Sequence, residues 1–351
     1  MKTIQGFVLI DVDVAALNNA GGDTTTNLEN AVMTKKIFKN GKQYPYVSGQ
    51  AWRYWWRETL RINYGWELSP VTREPKIAFT EADPFQYPDD DMFGYMRAAS
   101  IEEINPKTGK TKKVNITLTR ISPLKNSAFI AVAYNPIVQL MSTMARQEGD
   151  AVLYGKDEYC AVMKGMFSID LDQVGTFSMY ARTGFQNINE KMKEEALKNG
   201  ANEIEDPMIK DAKGNPLKLV RINDSERLKR VKDTVSALKH LAGGAKQTTN
   251  MADVTPKLVV LAQFKSGNHP FSHLAKEELG KPVFSVAALK EVLEDYKDQF
   301  IGNVYIGRRK GFMDELDEKL RSLQDDGGLT PGVTYGSVNQ IIDQFVQTIT
   351  L

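Results

Sequence analysis

Residues 4–14, IQGFVLIDVDV, alternate apolar and polar after an initial apolar run. A period of two sends successive side chains to opposite faces of a strand, so this segment commits the chain to a sheet with a buried face and places a central strand first. The stretch that follows, LNNAGGDTTTN, is built from Asn, Gly and Thr, which supply turn conformations and hydrogen-bonding groups instead of core surface. It is expected to form a long exposed loop. Ser48 then stands where it can cap a helix running to about Arg61. Trp52, Trp55, Trp56, Thr59 and Leu60 recur at helical spacing, and Arg53, Arg57 and Arg61 form a second ridge on the same helix.

From about Gly65 to Tyr134 helical patterning breaks up, Pro and Gly recur, and charge segregates, as in an insertion on a main scaffold. Residues 81–91 carry Glu81, Asp83, Asp89, Asp90 and Asp91 with no Lys or Arg, whereas residues 106–125 carry six basic residues and no acid. The second half has the pattern of a hairpin, with INPKTGKTKK as its turn. Strand-like alternation returns over 158–176, where GMFSIDLDQVG echoes the opening strand. A charged stretch, roughly 177–220, holds the helical run NINEKMKEEALKNG and the turn DAKGNP, and forms a second insertion. Helix periodicity over 225–241 leads into LAGGAKQTTN and the apolar strand KLVVLAQF, and three more helices are expected at 286–298, 312–323 and 337–347.

Charge narrows the function. With 45 Lys+Arg against 44 Asp+Glu the chain is close to neutral, which excludes a uniformly basic nucleic-acid binder. The single Cys160 makes no intramolecular disulfide, no apolar run reaches the roughly 18 residues of a membrane span, and Asp11 and Asp13 interrupt the start before a signal-peptide core forms. The expected location is the cytoplasm. Enzyme signatures are missing: His240, His269 and His273 form no metal motif, Cys160 lacks a CxxC partner, and there is no phosphate-binding GxxxxGK[ST] loop. Asp11 and Asp13 share a strand face but read as solvent-facing acids. The tryptophans read as core. For the arginine ridge, a solvated face and phosphate contact weigh equally on the helix alone. Gly243 and Gly244 can simply terminate a helix. With Ala245, Lys246 and Gln247 they also make a nest of backbone amides suited to phosphate. Three separated basic sites suggest a long polyanion.

In order along the chain, GFVLIDVDVAALNNAGGD, YPYVSGQAWRYWWR, DMFGYM, RISPLKNS, GMFSIDLDQVG and LAGGAKQT resemble the DevR-type backbone subunit, family seven of the CRISPR-associated proteins, of a type I-B Cascade complex. That family sits in the repeat-associated mysterious protein superfamily. The resemblance spans most of residues 1–265. It implies an α+β fold whose palm is RNA-recognition-motif-like (ferredoxin-like), a four-stranded antiparallel sheet with two helices, carrying large finger and thumb insertions. Transferred here, the palm comprises 1–64, 156–176 and 223–351 with its C-terminal helices, the fingers 65–155 and the thumb 177–222. It further implies a non-catalytic subunit without cofactor or metal. Such a subunit polymerises along guide crRNA, binds it independently of sequence, and presents it to target DNA. Its partners would be crRNA, target DNA, copies of itself, the large, small and guide 5′-end-capping subunits and the guide-processing ribonuclease, with no membrane.

By the same resemblance Asn18, Asn19, Ser48, Gln50, Arg53, Arg57, Gly243, Gly244, Ala245, Lys246 and Gln247 would contact crRNA. Lys110, Lys112 and Lys113 would be finger contacts to target DNA, and Met208 and Ile209 candidate thumb wedges. The physical logic is that a subunit repeated along a variable guide must hold phosphate and ribose without reading bases. Two alternatives stay open: a type III-like backbone subunit cutting target RNA with Asp23, and a guide-processing ribonuclease, which commonly uses an early His that this chain lacks. Local charge leads to one more expectation, that acidic surface such as 81–91 meets a neighbour's basic surface while a positive track runs through Arg53, Arg57 and Lys246.

Overall fold

A computed structural model describes residues 1–22, 31–104, 111–144, 152–182 and 184–351. The opening strand Thr3–Ala15 is central, as its pattern requires. It pairs antiparallel with Val152–Asp170 on one side and with Leu258–Phe264 on the other, Thr3 lying opposite both Asp170 and Phe264. Its side chains divide between two cores. Ile4, Val8, Ile10 and Val12 face helices, whereas Phe7 and Leu9 face Phe264, Phe271, Leu293 and Leu320. Asp11 and Asp13 are exposed at the strand's far end.

The sheet is larger than the four strands expected. It has 12 strands among the described residues, in the principal order Val333–Gly336, Phe300–Arg308, Leu258–Phe264, Thr3–Ala15, Val152–Asp170, Phe129–Ala131, Lys42–Val47, Lys36–Lys39. The first two of these run parallel, so the sheet is mixed. Residues 124–131, placed with the fingers on sequence, pair into this sheet against Val152–Asp170. That strand also crosses the 155/156 boundary without a break. Short strands flanked by Pro123 and Ser127 carry too little periodicity to be told from insertion.

Helix α1, Gly49–Tyr64, begins as its sequence dictates: Ser48 Oγ accepts from the Ala51 amide at 3.3 Å, and Gly65 ends the helix at φ 67°. Trp52, Trp55 and Trp56 are buried, with Trp52 and Trp56 stacked at 5.3 Å and Phe167 edge-on to Trp56. Trp56 Nε1 donates to Thr234 O, which fixes α1 against a second long helix, Asp224–Ser236, capped by Asn223 and continued by a tighter turn over Ala237–His240.

Two smaller units stand on this frame. One holds the short helix α2, Pro88–Phe93, and the hairpin of Tyr95–Ile104 with Thr111–Arg120. The other is a three-stranded sheet of Thr176–Ser178, Pro216–Arg221 and Asn202–Lys210 with helix α3, Glu190–Lys198, packed on Phe177, Ile188, Val220 and Ile222. The acidic stretch is not the surface its composition suggests. Asp89, Asp90 and Asp91 are all buried, and Asp91 lies between Arg120 of the hairpin and Arg230 of the helix Asp224–Ser236.

Candidate nucleic-acid interface

Three segments far apart in sequence meet at α1. Asn18 Oδ1 accepts from the Ser48 amide at 3.0 Å, so the polar loop after the first strand is tied to the helix cap. The Asn18 carbonyl accepts from the Lys35 amide at 2.8 Å and from Thr34 Oγ1 at 3.2 Å. One residue earlier, Leu17 O accepts from the Ala245 amide at 3.0 Å, which brings in the glycine loop. Gly243 is required by contact: a Cβ there would lie 2.2 Å from the buried Trp55 ring of α1. Gly244 sits at φ 110°, a backbone that L side chains rarely adopt. Asn18 is therefore tied to the Ser48 cap of α1, a terminus whose dipole and amides favour an anion, while the glycine loop lies against Trp55 and Thr59 further along the same helix and joins the site through Leu17.

Lys246 is half-buried at φ 55° in this loop. Burial, with Lys156 beside it, holds its ammonium below the usual lysine range, while Glu158 and Asp157 oppose that shift. Gln247 turns inward, its Nε2 donating to Gly243 O and to Ala252 O, so its amide nitrogen braces the loop.

The arginine ridge resolves into three environments. Arg53 is mostly buried, and its two terminal nitrogens donate to Leu124 O, Asn126 Oδ1, Phe93 O and Ser122 Oγ. Burial, reinforced by Arg57, brings its guanidinium down to about 10, still charged at neutral pH. Those four acceptors take every terminal N–H, so Arg53 fastens α1 to the chain on either side of the hairpin. Arg57 lies over the Phe93 ring at 5.6 Å and makes no hydrogen bond among the described residues, leaving its donors available. Arg61 is exposed and paired with Glu58.

A second polar edge lies beside Arg53. Gln50, exposed, borders a shallow cavity of about 490 Å³ with Lys125, Asn126 and Ser122, and Arg53 lies at its wall. Asn126 Nδ2 donates to Gly49 O at 3.1 Å, so this polar edge is fixed to the first turn of the helix. The signal was present in RISPLKNS, whose residues were noted for their resemblance and given no role.

The remaining candidates lie elsewhere. Met208 is 79% exposed, thrown out where the pairing register slips between Glu205 and Lys210, while Ile209 is half-buried. The Met208 and Ile209 amides both donate to buried Asp206. Lys112 and Lys113 fall on the strand Thr111–Arg120, and Lys110 and Asp23 lie outside the described residues. Among the described residues no group of His, Cys, Asp or Glu is arranged to hold a metal, and no helix is long and apolar enough to cross a membrane. His269 Nε2 lies 3.1 Å from both Gly6 O and Phe167 O, which is a packing role.

Comparison with known proteins gives likenesses of fold and a match of family. A solved chain described as "CRISPR RNA-guided surveillance complex, pre-nicking" shares 10% identity and a TM-score of 0.51, over 98% of this chain and 99% of that one. At such identity the likeness concerns the fold. Another, described as "CRISPR RNA-guided surveillance complex", has 11% identity and a TM-score of 0.49 over 98% of each chain. No curated protein matches. Residues 7–278, well over half of the chain, match the family described as "CRISPR-associated negative auto-regulator DevR/Csa2", and the chain belongs to that family.

Proposed function

We propose that this chain is the non-catalytic backbone subunit of a Cascade-type surveillance complex, of type I-B, whose α1 terminus and glycine loop hold guide crRNA. In this reading the strands Thr3–Ala15, Phe129–Ala131, Val152–Asp170 and Leu258–Phe264, with α1 and the helix Asp224–Ser236 between them, are the RNA-recognition-motif-like palm. Copies stack along the guide, the hairpin unit reaches target DNA, and Met208 serves as the wedge. The observation that carries the reading is that the Leu17–Asn18 segment is hydrogen-bonded both to the Ser48 cap of α1 and to Ala245 of the glycine loop, which joins three distant segments of the chain in one place. Backbone amides, hydroxyls, Arg57 and Lys246 bind phosphate and ribose, and such contacts carry no base preference.

The test uses the intact chain expressed with a guide array. Arg57→Glu and Lys246→Glu should each reduce co-purifying RNA, and Arg57→Gln should flatten the dependence of log affinity on log salt by about 0.7. RNA content unchanged in both Glu variants would rule out this site.

A further inference from the structure

Residues 31–57 contain no acidic residue but carry Lys35, Lys36, Lys39, Lys42, Arg53 and Arg57. Their first half is a hairpin, Lys36–Lys39 against Lys42–Val47, closed by Asn40-Gly41. Both of its ends are anchored to Asn18: Lys35 N donates to the Asn18 carbonyl and Ser48 N to its side chain. The hairpin thus projects from the candidate interface itself. Its strand Lys36–Lys39 is the sheet edge, and Phe38 on it is 70% exposed.

Lysines on an edge strand have a simple explanation, since they discourage pairing with another sheet. That purpose is not served by an aromatic ring left in water between them. Beside Phe38 a cavity of about 510 Å³ is lined by Lys36, Lys42, Tyr134, Gln139 and Asp157. Lys42 Nζ stands 4.7 Å from the centroid of the Tyr134 ring, which is 38% exposed. The two nearby carboxylates are engaged: Asp157 accepts from the Thr34 amide at 3.0 Å, and Glu277 from Tyr44 Oη and the Tyr134 amide, both at 3.1 Å. Aromatic faces beside ammonium groups are what an unpaired base and its flanking phosphates need.

We propose that the hairpin Lys36–Val47 is a second contact for single-stranded nucleic acid, in which Phe38 stacks on an unpaired base while Lys36 and Lys42 meet the adjoining phosphates. It deepens the reading above by extending the same interface from the α1 terminus to the sheet edge, and it rests on that reading for the path of the strand.

The experiment measures binding of unstructured RNA and DNA oligonucleotides of one sequence to the full chain freed of endogenous RNA. Phe38→Ala and Phe38→Leu should both weaken binding by about tenfold, whereas Phe38→Trp should retain it. The Leu variant separates stacking from a merely apolar contact. Changing Lys36 and Lys42 together to Gln should flatten the salt dependence by about 1.4, at 0.7 for each phosphate. Loss with RNA alone, DNA alone or both supports the contact and names the strand that occupies it. Binding at the native level in Phe38→Ala and Phe38→Leu overturns the proposal. If Lys246→Glu weakens binding in the same assay, the α1 site survives that failure; if only the Phe38 variants weaken it, the hairpin stands and the α1 site does not.

Discussion

Asp91 ties the hairpin unit, the base of the three-stranded unit and the palm into one network, and its removal should be costly. Its carboxylate is fully buried and accepts from Arg120 Nη2, from Arg230 Nη1 at 2.8 Å and from the Gly175 amide at 3.0 Å. Arg120 and Arg230 are themselves only 5% and 2% exposed. Truncating Asp91 to Ala leaves two buried guanidiniums without their shared anion, and breaking a buried pair this way costs about 3–5 kcal/mol. Some bonds persist: Arg120 still donates to Gln173 O and Thr176 O, and Arg230 to Pro84 O and Glu226 Oε1. The loss should therefore fall near the low end, about 3 kcal/mol, which is large against total stabilities of about 5–15 kcal/mol.

The assay is urea unfolding followed by far-ultraviolet circular dichroism and by tryptophan fluorescence, all four tryptophans lying in or next to α1. Coincident transitions license a single unfolding free energy. Asp91→Asn sharpens the test. It keeps the side chain's volume, but its amide can accept from one arginine only while presenting N–H groups to the other, so it should lose nearly as much as Ala. Asp91→Ala combined with Arg230→Met should recover part of the loss, because one uncompensated charge is gone. Asp91→Asn within about 0.5 kcal/mol of the native chain would refute the charge-network reasoning and leave packing volume as the cause.

Two further outcomes follow from particular side chains. Burial pushes the Asp89 carboxyl up to about 6, with the Ser69 amide opposing the shift. Between its ordinary 3.8 and about 6 the folded state then binds the proton better than the unfolded state, so this group lowers stability as pH rises through that window, by about 2–3 kcal/mol. Asp89→Asn, whose carbonyl can still accept from Ser69, should flatten the stability profile between pH 4 and 6 by about that amount; an unaltered slope contradicts it. In the hairpin of Ala275–Glu278 with Lys281–Phe284, Leu279 is 98% exposed at φ 50° before Gly280 at φ 76°. Asn40-Gly41 closes the other hairpin with nearly the same angles, 50° and 74°. Leu279→Asn should raise stability by about 1 kcal/mol in urea unfolding, because Asn tolerates the left-handed region that leucine resists; a lower midpoint would exclude this account.

Elements whose pattern is local were legible in the sequence. The opening strand alternates, α1 has its Ser48 cap and its tryptophan stripe, and KLVVLAQF is a strand buried along its whole length. What could not be read was the covering of a face by distant chain. Arg53, Arg57 and Arg61 are equivalent by spacing, yet Phe93, Ser122, Leu124 and Asn126 enclose only the first. Helical period tells which side chains share a ridge and says nothing about what lies against it. Residues 124–131 were hard to read for the opposite reason, being too short to show a period while pairing along the longest strand among the described residues of the sheet. The joining of Asn18, Ser48 and Ala245 likewise depends on topology, which a resemblance could supply and periodicity could not.

The same contacts change what the near-neutral total of +1 means for binding. Asp91 is spent on Arg120 and Arg230, so the basic run 106–125 loses Arg120 to the interior and the acidic run 81–91 has three carboxylates withdrawn from its surface. Cations near the α1 terminus have few such partners: Arg57 faces a ring, Lys125 is exposed, and Lys36 and Lys42 project from a stretch without acid. Buried pairs are screened little by salt, whereas exposed cations bind a polyanion less tightly as salt rises. If the proposed site holds nucleic acid, the chain can therefore keep its units locked together at ionic strengths that release it, because buried and exposed cations stand in different surroundings and not because their amounts of charge differ.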